Sequence, residues 1–207
     1  MTYLFDFDGT LVDSMPYFAD TIIQLMDDAR VAYPDDIIKI VTPLGYRGTA
    51  EYMIGLGYKS TPDALVDEII ACNTAAYHQS IPLKEGVKEK LLQLKAQGHS
   101  INVLTASPHK LLDKCLLRVG IYDLFDNVWS CDDFPYTKAD PRIYEEAAKR
   151  LGTTVQNCAF VDDNINAVTT AKKAGMLAIG IFDKSSEDFV AEFQAKADRY
   201  VFRFAEL

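Results

Sequence analysis

Six polar residues stand just past short apolar runs, where a chain would leave the end of a buried strand. Asp6 and Asp8 follow Tyr3-Leu4-Phe5 in the stretch DFDGT, Thr105 ends the run begun at Ile101–Leu104, and Asp162 and Asp163 follow Cys158–Val161. Lys138 lies beyond Val128–Ser130, just before another helical segment. If the runs are strands of one sheet, four carboxylates, a hydroxyl and an ammonium collect at one edge. Carboxylates brought together repel unless something positive sits among them. Oxygen donors with no His or Cys beside them suit a hard cation such as Mg²⁺ rather than zinc. Mg²⁺ leaves part of its shell to water and substrate phosphate, and a lysine and a hydroxyl suit the remaining phosphoryl oxygens. One aspartate can then attack phosphorus to give an aspartyl-phosphate. A second, two residues on, can protonate the leaving oxygen and later take a proton from water.

Taken singly, most of these residues have an ordinary explanation. An Asp after a strand commonly caps a helix or shapes a turn, and Asp132, Asp133 and Asp140 read that way. Thr105 alone would be a capping residue, and Lys138 alone a solvated lysine. Asp6 and Asp8 resist that reading, because two carboxylates flanking Phe7 in a buried run cost stability without compensation.

The elements that must position these groups show in the periodicity. Beyond residue 83, apolar runs alternate with amphipathic segments: a helix over Lys84–Gln97, a strand at Ile101–Leu104, then a helix from Ser107-Pro108 to Gly120. The pattern repeats with a strand at Asn127–Ser130, a helix opened by Asp140-Pro141, a strand at Cys158–Val161 and a helix over Ile165–Ala174. Leu177–Ile181 and Tyr200–Phe202 read as further strands, with Glu187–Lys196 helical between them. Such alternation predicts an α/β fold, a parallel sheet with helices on both faces that Tyr3–Phe5 joins from the other end of the chain. Ligands of such sheets bind beyond the carboxyl ends of the strands, where the six residues fall. Between the two parts, Ser14–Pro82 shows no strand pair. It reads as helices at Pro16–Arg30, Asp35–Ile40, Thr49–Ile54 and from Thr61-Pro62 onward, with Leu65, Ile69 and Cys72 in register. The predicted division is a core of residues 1–13 and 83–207 with a small helical cap, 14–82.

Composition narrows the partners. The 207 residues are 49% hydrophobic, ample for a core, and carry a formal net charge of −9, which disfavours nucleic acid and anionic membrane. No run reaches the roughly 18 apolar residues of a membrane span, and the start MTYLFDFDGT lacks the pattern of a signal peptide. A cytoplasmic protein, monomeric or weakly dimeric, is expected. The four cysteines show no CxxC spacing and read as small core residues rather than bridges or zinc ligands.

DFDGTLVDS resembles the first motif of the haloacid dehalogenase superfamily, INVLT the second, KADPRIY the third and FVDDNINAVTTAKKAGM the fourth, in that order along the chain. The resemblance implies a Rossmann-like core with the helical cap inserted after the first strand, and Mg²⁺ as cofactor. It implies Asp6 as nucleophile and metal ligand, and Asp8 as general acid/base with its backbone carbonyl on the metal. Thr105 and Lys138 would hold phosphoryl oxygens with help from the Ala106 amide. Asp163 would bind the metal directly, with Asp162 supporting it. The second aspartate, Asp8, favours phosphoryl transfer over halide displacement, and Ala139 departs from the proline many relatives carry after the lysine. Hydrolysis of a small phosphorylated metabolite is the expected activity. The alternatives are transfer to a sugar hydroxyl by a phosphosugar mutase, or a non-catalytic phosphate-binding protein. Two further residues are substrate candidates, each with a plain rival reading: Arg47, in the Gly45–Gly48 stretch between predicted helices, as a solvated arginine, and Ser107 as a helix cap.

Overall fold

The computed structural model describes all 207 residues. Six parallel strands form one sheet: β1 (Thr2–Phe5), β2 (Ser100–Thr105), β3 (Asn127–Ser130), β4 (Cys158–Asp162), β5 (Leu177–Ile181) and β6 (Arg199–Val201), in the order β3-β2-β1-β4-β5-β6. The first strand therefore lies at the centre, with Phe5 opposite Val103 of β2 and Val161 of β4. The order reverses between β1 and β4, and at such a switch point the crevice above the strand ends is open to a ligand.

Four helices precede β2's flanking helix: α1 (Met15–Asp28), α2 (Ile37–Val41), α3 (Gly45–Gly55) and α4 (Pro62–Gln79). Then follow α5 (Val87–Ala96), α6 (His109–Arg118), α7 (Arg142–Arg150), α8 (Ile165–Ala174) and α9 (Val190–Lys196). Strand alternation splits the core between the two faces. Phe5, Val103 and Val161 meet α5 and α6, whereas Leu4, Leu104 and Phe160 meet α7 and α8. Both faces are buried, so the strands read as continuous apolar runs.

The helices α1 to α4 enclose a core of their own, built from Phe18, Ile22, Met26, Val41, Met53, Leu65 and Ile69. The chain enters and leaves this insertion side by side: Val12 forms an antiparallel bridge with Leu83, and the Asp13 amide donates to the Pro82 carbonyl at 3.0 Å. Helix α4 belongs to both cores, since Ile70 at its middle and Tyr77 near its end pack into the cluster beneath the sheet. No helix is long and apolar enough to cross a membrane.

Four local expectations need correction. The inward stripe of α4 runs through Leu65, Ile69, Asn73 and Tyr77, and Cys72 is exposed, because the i, i+4 row follows the helix from α1 toward α6. Helix α3 starts at Gly45, four residues before the expected start, so Arg47 lies in its first turn rather than between helices. Gly48 is no breaker there: a Cβ on it would stand 2.8 Å from Cβ of Leu44, and its absence leaves room for that side chain. Helix α6 starts at His109, with Pro108 extended before it and no side-chain cap from Ser107. The helix expected from Glu187 begins at Val190, after a 3₁₀ turn over Lys184–Phe189.

Candidate active site

The site forms where the strand ends and the helical insertion face each other. Asp6 continues the ladder of β1, its amide donating to the Val161 carbonyl at 2.9 Å, so its carboxylate is held by backbone pairing at the centre of the sheet. Asp162 ends the neighbouring strand β4, and Asp163 follows it. Asp6, Asp162 and Asp163, all buried, each present a carboxylate oxygen within 4.8 Å of the others.

Lys138 reaches this group from the loop after β3. Its Nζ lies 2.7 Å from Oδ1 of Asp6 and 2.8 Å from Oδ2 of Asp162. The Tyr144 hydroxyl, 3.0 Å from the Lys138 carbonyl oxygen, anchors that loop to α7. Burial works against the ammonium, but the charges of Asp162 and Asp6 outweigh it and hold its pKa well above the ordinary lysine value. One cation does not balance three carboxylates. Burial first, then Asp6, raise Asp162 to about 7 despite Lys138. Asp163 is also raised, by burial and then by the charges of Asp162, Asp183 and Asp6. Apart from its ion pair, the buried Oδ1 of Asp6 accepts no hydrogen bond. A cluster of oxygen donors with an unsatisfied lone pair and destabilised charge fits a hard divalent cation, which would reverse those pKa shifts.

The loop after β1 is shaped around Asp163. Gly9 has φ +69, and a Cβ there would stand 2.4 Å from Oδ2 of Asp163. Thr10 donates its hydroxyl to Oδ1 of Asp163 at 2.8 Å and accepts from the Asp163 amide at 3.1 Å. Lys84 supports the loop from behind, donating to the Gly9 carbonyl at 2.6 Å and to Asp183 Oδ2 at 2.7 Å. On the β4 side, the Asn164 amide donates to Oδ1 of Asp162 at 2.7 Å, while its side chain caps α8.

Asp8 stands apart from the three clustered carboxylates and is enclosed by hydroxyls. Ser14 donates to its Oδ1 at 2.7 Å, Tyr77 of α4 donates to the same oxygen, and Ser107 donates to Oδ2. Burial and then the charge of Asp6 raise the Asp8 pKa, while the three donors pull it back down. Burial and the nearby Asp8 raise the phenols of both Tyr77 and Tyr46, so each keeps its proton. Their oxygens lie 3.5 Å apart. Since the proton of Tyr77 goes to Asp8, Tyr46 is the donor of that pair. A carboxyl whose pKa is raised by burial and whose oxygens are held by hydroxyl donors suits a group that must both give and take a proton.

Asp6, Asp8, Thr105, Ala106, Lys138 and Asp163 all line one cavity, which the insertion closes from above. Asp162 lies beneath it, fully buried. Ser107 is also buried, and its hydroxyl is engaged with Asp8 rather than capping α6; Thr105 Oγ1 accepts from the Ser107 amide at 3.1 Å. Arg47 does not reach the cavity. It is paired with Glu51 and Asp63, its side chain 62% exposed on the outer face of the insertion. The residues that sequence reasoning did not single out are Thr10, Ser14, Tyr46, Tyr77 and Lys84. Thr10 and Ser14 sit inside DFDGTLVDS, where two hydroxyls beside two carboxylates were a usable signal.

The chain belongs to the haloacid dehalogenase-like hydrolase family, whose profile matches residues 1–175. It is 29% identical over 185 residues to hexitol phosphatase B of Escherichia coli (strain K12), a match covering 85% of this chain and 81% of that protein. It is likewise 29% identical over 187 residues to phosphoglycolate phosphatase of Colwellia psychrerythraea, covering 86% and 82%. Among solved structures, a haloacid dehalogenase-like hydrolase from Bacteroides fragilis superposes with a TM-score of 0.86 at 23% identity, over 99% of this chain and 98% of that one.

Proposed function

We propose that this protein is a Mg²⁺-dependent phosphatase that hydrolyses small phosphate monoesters through a phosphorylated Asp6. The observation that carries the reading is the separation of two kinds of aspartate. Asp6, Asp162 and Asp163 converge beside Lys138, while Asp8 is held apart by three hydroxyl donors. Asp6, Asp162 and Asp163 would hold the cation, which when bound neutralises charge on the carboxylates and on the phosphoryl oxygens under attack. Lys138 and Thr105 face the same space and orient the phosphoryl group. Asp6, rigid at the end of the central strand, attacks phosphorus in line with the leaving oxygen. Asp8 protonates that oxygen as it departs, then takes a proton from the water that cleaves the acyl phosphate.

Residues 14–82 act as a cap over the reaction. They close on the core through Asn164, whose side chain donates to the Pro43 carbonyl at 3.3 Å, and through the Lys39–Asp188 ion pair. The paired linkers at Val12–Leu83 and Asp13–Pro82 lie side by side, the arrangement of a hinge, while α4 is anchored on the core through Ile70, Tyr77 and its packing on α6.

The test is phosphate release from p-nitrophenyl phosphate together with mass spectra of acid-quenched protein. Chelation abolishes release and Mg²⁺ restores it. Asp8→Asn, slow to activate water, accumulates roughly 80 Da (one PO₃H unit) on Asp6, whereas Asp6→Asn carries none. Full turnover in excess chelator, or wild-type labelling of Asp6→Asn, overturns the reading.

A further inference from the structure

The half of the cavity that receives the alcohol has a different character from the half that receives phosphate. The whole cavity is about 220 Å³, modestly larger than the roughly 150 Å³ that admits a benzene ring. Its floor carries every charge that lines it: Asp6, Asp8, Asp163 and Lys138. Its upper walls are Met15 and Phe18 from α1, Pro43 and Leu44 from the turn before α3, and the rings of Tyr46 and Tyr77, joined by the uncharged polar side chains of Thr42, Thr137, Asn164 and Asn166. Lys138 is the sole cation among the lining residues, and it is committed to Asp6 and Asp162. Arg47 is tied to Glu51 and Asp63 outside. Tyr77 spends its proton on Asp8, which leaves the oxygen of Tyr46 able to accept from an alcohol O–H.

We infer that the leaving group is a small uncharged alcohol with a C–H face and hydroxyls, of the polyol or sugar type, and that the upper chamber selects against any second anion. The inference rests on the phosphatase reading of the same site. A carboxylate or a second phosphate on the leaving group would sit among uncharged walls, beside Asp8, with no free cation to pair it. The same chamber disfavours phosphosugar mutase chemistry, because an acceptor that already carries phosphate must place that phosphate there.

The experiment compares substrates matched in size and differing in that one charge: 2-hydroxyethyl phosphate against 2-phosphoglycolate, and glycerol 3-phosphate against 3-phosphoglycerate. Free phosphate is measured with Mg²⁺ present, and p-nitrophenyl phosphate serves as a control. Wild-type kcat/KM favours the uncharged member of each pair by about 100-fold or more, as expected for an uncompensated buried charge. Leu44, exposed at the rim, allows a converse test: Leu44→Lys supplies a cation to the chamber and narrows the ratio by about tenfold. Parity within the pairs, or a ratio that Leu44→Lys leaves unmoved, overturns the inference while the hydrolase reading stands. If no ester releases phosphate, p-nitrophenyl phosphate included, the hydrolase reading falls instead. Calorimetric binding of the same pairs then decides: tighter binding of the uncharged members supports the inference, and equal or tighter binding of the carboxylates overturns it.

Discussion

Tyr77→Phe isolates one hydrogen bond in the site. Tyr77 is 2% exposed, and its ring packs against Phe7 with centroids 5.9 Å apart, so phenylalanine keeps the packing and removes only the hydroxyl. That hydroxyl donates to the ionised form of Asp8, and its loss disfavours ionisation. A hydrogen bond to a charged acceptor is worth about 1.5–3 kcal/mol. At about 1.36 kcal/mol per pKa unit, the Asp8 carboxyl, already raised by burial and by Asp6, rises by about 1–2 units more. The sign follows from the role. An acid catalyst works only while protonated, so the alkaline fall of kcat/KM for a poor leaving group shifts to higher pH by that amount. At neutral pH the second half-reaction, which needs ionised Asp8, slows, and phospho-enzyme accumulates. The assay is a pH profile of kcat/KM for an alkyl phosphate, in wild type and variant, with the variant's melting temperature as a check on folding. An alkaline limb that stays in place while activity falls uniformly at every pH would refute the assignment of Tyr77 as the group that sets Asp8.

Two other perturbations test the scaffold. Gly9→Ala sets a methyl group 2.4 Å from a carboxylate oxygen of Asp163 at positive φ, so the Mg²⁺ concentration needed for half-maximal activity rises by about tenfold or more, or the loop fails to form; an unchanged metal titration refutes the account of that loop. His109 lies between Asp113 at 3.0 Å and Asp133 at 2.9 Å; burial opposes its charge, but the two carboxylates prevail and raise its pKa. Its stabilisation is therefore complete below the unfolded value of about 6.5 and is lost as pH rises through the higher folded value. His109→Gln melts lower than wild type at pH 6 and equally by pH 9, the gap staying below about 1 kcal/mol because the pairs are partly exposed.

Much of the core was legible because a buried parallel strand leaves a plain signature. Each apolar run ends where the sheet ends, and the first polar residue after it is placed by the backbone rather than by its own contacts. That is why Asp6, Thr105 and Asp162 could be located from the runs preceding them, and why the order of elements from Ile101 onward matches the observed sheet. Misreadings arose where glycine or proline was taken as punctuation. Gly48 lies within α3, where its missing Cβ leaves room for the Leu44 side chain. Pro108 precedes its helix in extended conformation, which frees the Ser107 hydroxyl for Asp8.

The hydroxyls around Asp8 show the limit of such reading in physical terms. Ser14, Tyr77 and Ser107 reach one carboxylate from three separate segments, and their meeting depends on how the insertion closes on the sheet, which no local period encodes. Tyr77 in particular occupies an ordinary place in the i, i+4 row of α4 after Leu65, Ile69 and Asn73. In that row an aromatic residue reads as packing, and its ring does pack, on Phe7. Only the hydroxyl at its tip does something else, and it does so because α4 carries the row out of the insertion's own core and into the one beneath the sheet. The end of that helix is also fastened to the core, since Arg118 of α6 donates to the Tyr77 carbonyl at 3.2 Å and to the Ile81 carbonyl. Tyr77 is therefore held against Asp8 by the core as well as by the insertion. On that geometry Tyr77→Phe should change the protonation of Asp8 without weakening the sheet.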